Sequence, residues 1–480
     1  MNICKITSIL IFLSTISWAQ TSININVSQF GANGNDKKDD TQSFQKSIDY
    51  LANKGGGTLS IPKGNYYISH LKFFGKKYSN ITIKGDKAVI NQITPKNRKT
   101  VHNGLYKTFS ERYAADGCFV FDAQVSNQKD DTNSIKNINI SGLNFQSDVK
   151  NKGFDELLHQ LSAHGVSNFV VENCSFTGFF GDGIAINAGT DLAIYSYAYN
   201  KNVEIRNCSF DGVNKDNRQG ISIYYCDGFL IENSSFKNIT RKNMPGAIDI
   251  EPDRDFLVSR NGTIRNCSFD NIGGIAAVNI VMFPSTVSNQ FSNKNYVIEN
   301  CTFNNVNSAV GVIGNNSFKT FNSEEDYVTF RNSKVTNSFS ALDIRKGYGV
   351  LIDNVDFTNI YTTTNNLVTD GGATDITFKN CTFDTIKNRN GFGFHGQTQS
   401  INFIGNTFQN FAIHAITIND INGVGEISNN KFLSTNYKGG FPLVTQYYIK
   451  KSVIKNMKIL NNTSQQNFNN LDINYFYKPK

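Results

Sequence analysis

Proline, tryptophan and methionine are scarce in this chain, which contains 7, 1 and 4 of them among its 480 residues. Phenylalanine and glycine, by contrast, each occur 38 times. Few prolines together with many aromatic and polar β-forming residues favour numerous short strands over long helices. The sequence has no C-x-x-C pair, no zinc-ligand spacing and no basic tail, which argues against a zinc domain and against a nucleic-acid-binding protein.

The first residues combine a short positive region, an apolar run and a small-x-small sequence. Lys5 supplies the charge, and Ser17 to Ala19 offers a cleavage site. The apolar run is shorter than the roughly 20 residues that a membrane span needs, and no later stretch is long enough either. Residues 1–19 are therefore predicted to be a signal peptide, and residues 20–480 are predicted to work outside the cytoplasm, secreted or periplasmic.

One six-residue motif recurs along the chain, with starting points 22 to 34 residues apart. Its first and sixth positions are apolar, its third is usually asparagine, and its fourth is most often Cys, Ser or Asn. Such a repeat indicates a solenoid of stacked coils that carry loops of different length. The copies read VENCSF from Val171, IRNCSF from Ile205, IENSSF from Ile231, IRNCSF from Ile264, IENCTF from Ile298, FRNSKV from Phe330, IDNVDF from Ile352, FKNCTF from Phe378, FIGNTF from Phe403, ISNNKF from Ile427 and ILNNTS from Ile459.

Each motif position predicts one place in the coil. Phenylalanines at the sixth position should stack into an aromatic column, and cysteines at the fourth should be small buried apolar residues on different coils. The recurrent third-position asparagines are expected to hydrogen-bond to each other inside the stack. The phenylalanines are Phe176, Phe210, Phe236, Phe269, Phe303, Phe357, Phe383, Phe408 and Phe432, and the cysteines are Cys174, Cys208, Cys267, Cys301 and Cys381.

The unequal spacing argues against a propeller, whose blades need about 40 to 45 residues each. The remaining architecture is an all-β fold, a parallel β-helix. It is expected to form a single domain over residues 20–480. Residues 39–53 have helical periodicity and should form a short N-terminal helix that caps the first coil, with Asp40 or Thr41 as N-cap. Two further segments are expected to be loop insertions. They are residues 91–134 and 147–163.

Residues 27–68 read VSQFGANGNDKKDDTQSFQKSIDYLANKGGGTLSIPKGNYYI. The FGA, D-D-T and GGGTLSIPKGNYYI elements resemble the amino-terminal signature of the pectate-lyase-like superfamily, which includes family 28 glycoside hydrolases, polysaccharide lyases and phage tailspike enzymes. The resemblance implies a right-handed parallel β-helix with a glycan in a groove along one face. The complete polygalacturonase motif set is missing, since His395 and the Arg345-Lys346 pair match only parts of it. The chain is also loosely similar to iota-carrageenases, which are β-helix hydrolases.

A second strand follows the phenylalanine of most copies, and in it isoleucine alternates with a non-apolar residue, as in GAIDIE from Gly246. A strand with one buried face shows this alternation, so the non-apolar side chains should form an exposed row with coils about 4.8 Å apart. Carboxylates, amides, arginine and tyrosine are concentrated there, which predicts a glycan groove. The expected substrate contacts are Asp182, Asn187, Arg218, Gln219, Tyr224, Arg254, Asn279, Asp343, Arg345 and His395.

Asp249 and Glu251 are the candidate catalytic residues, because residues i and i+2 of a strand share a face, with Cα atoms roughly 6.5 to 7 Å apart. Glycoside hydrolysis commonly uses two carboxyl groups, about 6.5–9.5 Å apart for inversion and about 5–5.5 Å for retention. We expect the side chains to spread, which slightly favours inversion. Close like charges would raise one pKa, as a general acid requires. A Ca²⁺ site and a solvated structural pair are the alternatives for these two acids.

The preferred function is a glycoside hydrolase that cleaves an acidic or sulfated polysaccharide and requires no cofactor, with Ca²⁺ as an optional ion. The net charge of +8 and the arginines of the row favour an anionic substrate, and no nucleic-acid partner is expected. A polysaccharide lyase is the first alternative, in which Tyr224, Arg254, Arg345 or Lys346 would remove a proton next to a uronate carboxylate. A non-catalytic glycan-binding β-helix is the second.

Overall fold

The structure is a computed structural model, and a set of ranges along the chain can be described. They are residues 23–93, 117–123, 134–187, 199–214, 217–252, 259–282, 293–314, 328–361, 374–387, 392–394, 399–412, 414–418, 425–433, 443–445, 457–464 and 474–475. The predicted signal peptide lies outside these ranges. Within them, no helix is both long and apolar enough to cross a membrane.

Parallel strands wind around one axis and pair from coil to coil, so the right-handed parallel β-helix predicted from the sequence is confirmed. The largest sheet of the described residues has 25 strands and bends around the motif, because several strands continue from one face of the coil to the next. Its strands are Asn24–Asn26, Gly57–Ile61, Asn65–Ile68, Ile81–Gln92, Ile135–Ser147, Val166–Glu172, Ser175–Thr177, Asn200–Arg206, Ser209–Asp211, Cys226–Glu232, Ser235–Ile239, Ser259–Arg265, Ser268–Ile272, Tyr296–Glu299, Thr302–Val306, Val328–Thr336, Tyr348–Ile360, Thr374–Lys379, Thr382–Ile386, Gln399–Ile404, Thr407–Gln409, Gly425–Ser428, Lys431–Phe432, Met457–Leu460 and Thr463–Ser464.

Two smaller parallel sheets complete the described strands. One has nine strands and contains the residues of the expected groove; the other has four and lies in the C-terminal coils. The nine strands are Leu71–Phe74, Phe119–Asp122, Leu161–His164, Ile184–Asn187, Ile221–Ile223, Ile248–Ile250, Val278–Met282, Val310–Gly314 and Leu342–Arg345. The four are Phe392–Phe394, Ile416–Ile418, Leu443–Thr445 and Asn474–Tyr475.

The predicted aromatic column is confirmed. Phe269 stacks on Phe236 and Phe303 with ring centroids 4.9 and 4.7 Å apart and nearly parallel planes. Strand pairing places Val335 between Phe303 and Phe357, so the rings form two stacks with one aliphatic interruption. The fourth-position cysteines lie at equivalent places on different coils and are buried, as expected.

The predicted location of the asparagine ladder is wrong. Third-position asparagines such as Asn173 are exposed, and they adopt positive φ angles of about 50 to 57°. Asparagine tolerates this left-handed conformation better than most residues, which explains its recurrence at the bend. The buried ladder consists instead of fourth-position asparagines in the last coils, where Asn406 donates to Asn430 and Asn430 to Asn462, each over 3.0 Å.

The capping helix α1 spans Thr41–Asn53 and covers the first coil through its buried face, which includes Phe44, Ile48 and Leu51. It begins two residues later than the predicted segment. Asp40 stands at the N-cap but makes no side-chain cap, because its carboxylate accepts the backbone N–H groups of Asn33 and Tyr67. Among the described residues, the other helical segments are α2, Val149–Lys152, and the 3₁₀ turns Val27–Phe30 and Lys76–Tyr78.

Gln45 of α1 protects the first edge of the nine-stranded sheet. Its amide nitrogen donates to the carbonyl of Lys72 over 2.9 Å, and its amide oxygen accepts the N–H of Lys72 over 2.9 Å. The side chain therefore satisfies the same two groups that a further strand would pair with. Open strand edges invite pairing with other chains, and this amide occupies one such position.

Both segments predicted to be insertions contain a strand of the coil. Phe119–Asp122 falls within residues 91–134, and Leu161–His164 begins within residues 147–163; the two strands pair with each other. These strands lack the motif that marks later coils, so the sequence pattern did not reveal them. Most of the remaining residues between 94 and 133 lie outside the described ranges.

Charges alternate in sign along one column of the 25-stranded sheet. Each arginine binds the glutamate of the preceding coil, with nitrogen–oxygen distances of 3.0, 2.7 and 2.7 Å for the three pairs. Strand pairing places all six residues in one register. The column consists of Glu172, Arg206, Glu232, Arg265, Glu299 and Arg331.

Candidate active site

The polar row predicted from the sequence lies on the nine-stranded sheet. Strand pairing places Asp249 between Ser222 on the preceding coil and Asn279 on the next. Ile248 and Ile250, on either side of Asp249, belong to the hydrophobic core. The row contains Lys72, Val120, Ser162, Ala185, Ser222, Asp249, Asn279, Gly311 and Asp343.

The centre of this row is buried, which corrects the prediction of an exposed strip. Asp249 is 0% exposed and Asn279 is 1% exposed, and Asp182 and Gln219, which lie beside the row, are 0% exposed. One reason is that these side chains hydrogen-bond from coil to coil and so cover each other. Alternation along a strand defines which side chains turn away from the core, but not what lies over them.

Asp249 is surrounded by hydrogen-bond donors. Its Oδ2 accepts Nε2 of Gln219 over 3.0 Å, and its Oδ1 accepts Nδ2 of Asn279 over 2.9 Å. The pKa of Asp249 is raised overall, because its burial outweighs the hydrogen bonds from Glu251, Asn279 and Gln219, which act in the opposite direction. Two amide donors favour the ionised form of Asp249, so the proton that the two acids share belongs on Glu251.

Glu251 is half-buried and forms a hydrogen bond with Asp249. Burial, together with the neighbouring charge of Asp249, raises the pKa of Glu251 to about 8. The carboxyl group is therefore protonated at neutral pH and can donate its proton. This is the state that a general acid needs.

The two carboxyl groups do not spread apart. Because Asp249 and Glu251 hydrogen-bond to each other, their separation is shorter than the ranges typical of inverting or retaining hydrolases. The stereochemical outcome stays a sequence-based prediction, although the two side chains do not show the expected spread. The physical reason is that a buried carboxylate requires donors, and the protonated partner two residues away supplies one.

Asp182 is the second buried acid of the site. It accepts the hydroxyl of Ser222 over 2.6 Å, and it lies 3.6 Å from Nη1 of Arg218. Nδ1 of His159 is 3.2 Å from its Oδ2. Burial alone would raise the pKa of Asp182, but Arg218 and His159 outweigh it and hold the pKa below its usual value. Asp182 is thus a permanent charge beside the Asp249–Glu251 pair.

Arg218 lies between the carboxylate of Asp182 and the phenol of Tyr224. Its Nη2 donates to the hydroxyl oxygen of Tyr224 over 3.1 Å and lies 3.8 Å from Glu156. Burial raises the pKa of Tyr224 well above its ordinary value, against the opposing effect of Arg218. Tyr224 therefore keeps its proton and can act as a hydrogen-bond donor to a ligand.

The remaining predicted contacts lie farther away or outside the described ranges. Asn187 is buried one coil before Tyr224. Asp343 lies three coils beyond Asp249, and its carboxylate binds Arg345 at 2.8 and 2.5 Å. Two predicted contacts fall on residues that the structure does not describe. They are Arg254 and His395.

The site includes two side chains that the sequence reasoning did not assign to it. Neither Ser222 nor His159 is among the substrate contacts expected from the sequence. His159 lies at the rung before Asp182, with its Nδ1 3.0 Å from the backbone nitrogen of Asp182. His159 lies three residues before Ser162, which pairs with Ala185. This spacing would place His159 beside Asp182, but only if Leu161–His164 is first recognised as a strand of a coil.

No cluster of three or more His, Cys, Asp or Glu residues within the described ranges could hold a metal ion. Asp182, Asp249 and Glu251 therefore do not converge on one point in the way that a carboxylate-rich Ca²⁺ site requires. Ca²⁺ binding stays a sequence-based prediction.

The sequence profile of a family described as rhamnogalacturonase A/epimerase, pectate lyase-like, matches residues 24–269. The chain belongs to this family. Because the matched segment ends at residue 269, it contains Asp249 and Glu251 but not Asn279 or Arg345. Among curated relatives of this pectate lyase-like chain, an iota-carrageenase of Alteromonas macleodii is 28% identical over 195 residues. That alignment covers 37% of this chain and 38% of the carrageenase, so the chain spans about two fifths of its relative's length.

Solved structures share the fold of this pectate lyase-like protein. Pre-mature gene product 12 of bacteriophage phi29 has a TM-score of 0.64 at 16% identity, over 92% of this chain and 55% of the phage protein. A mutant tailspike protein of E. coli bacteriophage HK620, in complex with a pentasaccharide, has a TM-score of 0.54 at 14% identity, over 94% and 78% of the two chains. At these identities the likeness concerns the fold alone.

Proposed function

We propose that this pectate lyase-like protein is an exported glycoside hydrolase that cleaves an acidic or sulfated polysaccharide, with Glu251 as general acid and Asp249 as its ionised partner. The observation that carries the proposal is the hydrogen-bonded pair itself, in which burial and the charge of Asp249 raise the pKa of Glu251 to about 8. Most glycoside hydrolases use one protonated carboxylic acid and one carboxylate to break the glycosidic bond.

In the proposed reaction, Glu251 donates its proton to the glycosidic oxygen as the bond to the leaving sugar breaks. The substrate replaces Asp249 as the acceptor of that proton, which frees the Asp249 carboxylate from Glu251. The pair then opens far enough to admit a water, and Asp249 faces the positive charge that develops on the sugar and accepts a proton from that water as it attacks. Gln219 and Asn279 keep donating to its two oxygens and hold it in place.

The comparisons support a polysaccharide as the substrate class. A relative named iota-carrageenase aligns with part of this chain, and a tailspike protein with the same fold was solved with a pentasaccharide. Net charge supports an anionic polymer, since the chain carries 47 Lys and Arg against 39 Asp and Glu. The sequence of residues 1–19 supports export.

A polysaccharide lyase is the second candidate, and the position of Tyr224 next to Arg218 favours considering it. A lyase needs a base that removes a proton next to a uronate carboxylate. Burial raises the pKa of Tyr224 well above its ordinary value, which makes the phenol a weak base at neutral pH. The pKa shifts of Tyr224 and Glu251 both favour proton donation, and so support hydrolysis over elimination.

The deciding experiment incubates the purified mature chain with a panel of uronic and sulfated polysaccharides and identifies the products by mass. A hydrolase adds one water per cleavage, whereas a lyase leaves an unsaturated sugar that absorbs ultraviolet light. Asp249→Asn and Glu251→Gln should abolish products. If no polysaccharide is cut but both variants and the unmodified chain bind a glycan equally, the protein is a non-catalytic glycan-binding β-helix.

A further inference from the structure

We propose that the polysaccharide extends from Glu251 toward the C-terminal coils along a second, accessible row, and that Arg345 binds a sulfate or carboxylate of the third sugar beyond the cleaved bond. This row, called the C-terminal track, consists of Glu251, Val281, Ile313 and Arg345. The inference rests on the proposed function for the position of the cleaved bond. It adds a direction, a spacing and an anion subsite.

Strand pairing places the four residues in line. Val281 pairs with Ile313, and Ile313 pairs with Arg345. Glu251 directly follows Ile250, which pairs with the residue before Val281. Three coils at about 4.8 Å each put Arg345 about 14 Å from Glu251 along the axis. The rise of one coil is comparable to the length of one sugar ring in an extended chain, so one ring fits each coil.

The exposure of the residues on either side of Glu251 indicates the direction in which the polymer extends. On the N-terminal side of Glu251, the equivalent residues Tyr224 and Asn187 are 7% and 5% exposed. On the C-terminal side, Val281 and Ile313 are half-buried and the Arg345 side chain is 49% exposed. A polymer that reaches the proton of Glu251 therefore finds accessible neighbours on the C-terminal side, whereas the two equivalent residues immediately before Glu251 are covered.

The chemistry of the track suits an anionic glycan. Val281 and Ile313 offer apolar surface to the C–H faces of sugar rings, at the coils between the acid and the arginine. Asp343 holds the guanidinium of Arg345 through Nε and Nη2, which fixes its orientation before binding. The planar fork of a guanidinium matches the oxygens of a sulfate or a carboxylate.

The test compares Arg345→Ala with Arg265→Ala, a matched control on another sheet whose arginine is 42% exposed and paired with Glu232. Both variants and the unmodified protein are assayed on size-fractionated oligosaccharides of the polymer that the panel identifies. Arg345→Ala should raise KM about tenfold, the effect of losing one charge-assisted contact, with kcat nearly unchanged. The rise should occur only for oligosaccharides that extend three or more sugars beyond the cleaved bond.

Arg345→Lys should recover part of the lost affinity for long oligosaccharides. Sulfated and uronate oligosaccharides are assayed in parallel to identify whether Arg345 binds a sulfate or a carboxylate. An equal effect on short and long substrates, no effect on either, or the same effect from Arg265→Ala would overturn the inference.

Calorimetric binding to a Glu251→Gln background separates this inference from the proposed function. If the unmodified protein cuts nothing but long anionic oligosaccharides bind with a dependence on Arg345, the hydrolase proposal fails and the track stands. If the polymer is cut and Arg345 has no length-dependent effect, the track fails and the hydrolase proposal stands.

Discussion

The carboxyl groups of Asp249 and Glu251 hydrogen-bond to each other across one intervening residue of the same strand. Their backbone positions follow from the period of a β-strand, whereas their contact depends on the burial of both groups and on the amides around Asp249. Asp249 and Glu251 therefore share one proton, and the predictions about activity depend on which of the two carries it.

Glu251→Gln keeps the size and hydrogen-bonding capacity of the side chain but removes the proton that it can release. We expect kcat to fall by about 10²- to 10⁴-fold, the usual contribution of general acid catalysis. Steady-state kinetics on the identified polymer measure this loss. Glu204→Gln, on the 25-stranded sheet, is the matched control and should retain full activity. Full turnover by Glu251→Gln would show that another group supplies the proton.

Activity should depend on pH through Glu251. Since the acid must be protonated and its pKa is about 8, kcat/KM should fall as the pH rises through about 8. The decline should be about tenfold per pH unit above that value. A pH profile measured with the free enzyme reports this pKa, and a decline centred near the ordinary glutamate value of about 4.3 would contradict the burial argument.

The free energy of unfolding should also depend on pH through Glu251, and the direction of that dependence follows from its raised pKa. The pKa of Glu251 is raised in the folded state, so the folded chain binds more protons than the unfolded chain between about 4.3 and about 8. Its stabilising contribution is complete below that window and is lost as the pH rises through about 8. The free energy of unfolding of Glu251→Gln, relative to the unmodified chain, should therefore increase with pH across this window, as denaturant titrations would measure.

Phe269 is the centre of a continuous stack, since its ring lies 4.9 and 4.7 Å from those of Phe236 and Phe303. Phe269→Ala should destabilise the coil stack by about 3–5 kcal/mol. Hydrogen exchange should show the loss first in the two neighbouring coils, because a solenoid is stabilised by nearest-neighbour contacts. Phe269→Leu, which retains most of the volume, should cost less. Equal protection in all three proteins would refute the expectation.

Gln45→Leu should make the protein self-associate. The substitution removes both hydrogen bonds to Lys72 and leaves the edge of the strand Leu71–Phe74 open to another chain. Light scattering should detect dimers or larger species that increase with concentration. Gln42→Leu, at an exposed position of the same helix, adds a similar apolar surface without opening the edge and should stay as dispersed as the unmodified protein.

Patterns that recur at one position in many coils were predictable from the sequence. The phenylalanine stack, the buried cysteines and the isoleucine face of the nine-stranded sheet each follow from one position that recurs along the chain. Coils without the motif were not recognised, and Phe119–Asp122 was therefore placed in an insertion. A strand of this kind is defined by its neighbours on both sides, as its pairing with Leu71–Phe74 and Leu161–His164 shows.

The chemistry of the site was predictable only in part. Alternation identified Asp249, Glu251 and Asn279 as side chains that turn away from the core. It could not reveal that Asp249 is fully covered, or that Glu251 closes on it, because both depend on packing between coils and on the local loss of water. Ser222 and His159 were not assigned to the site because their role depends on their contacts with Asp182. Those contacts are not visible in the sequence.

The alternating column of glutamate and arginine has a consequence for how such a chain can change in length. Each Glu coil is followed by an Arg coil, from Glu172–Arg206 to Glu299–Arg331. Duplicating or deleting a single coil would set two like charges side by side, which is unfavourable between neighbouring strands. Adding or removing two coils, about 10 Å of solenoid, preserves the alternation. Genetic rearrangements within this region should therefore survive preferentially when they involve an even number of coils.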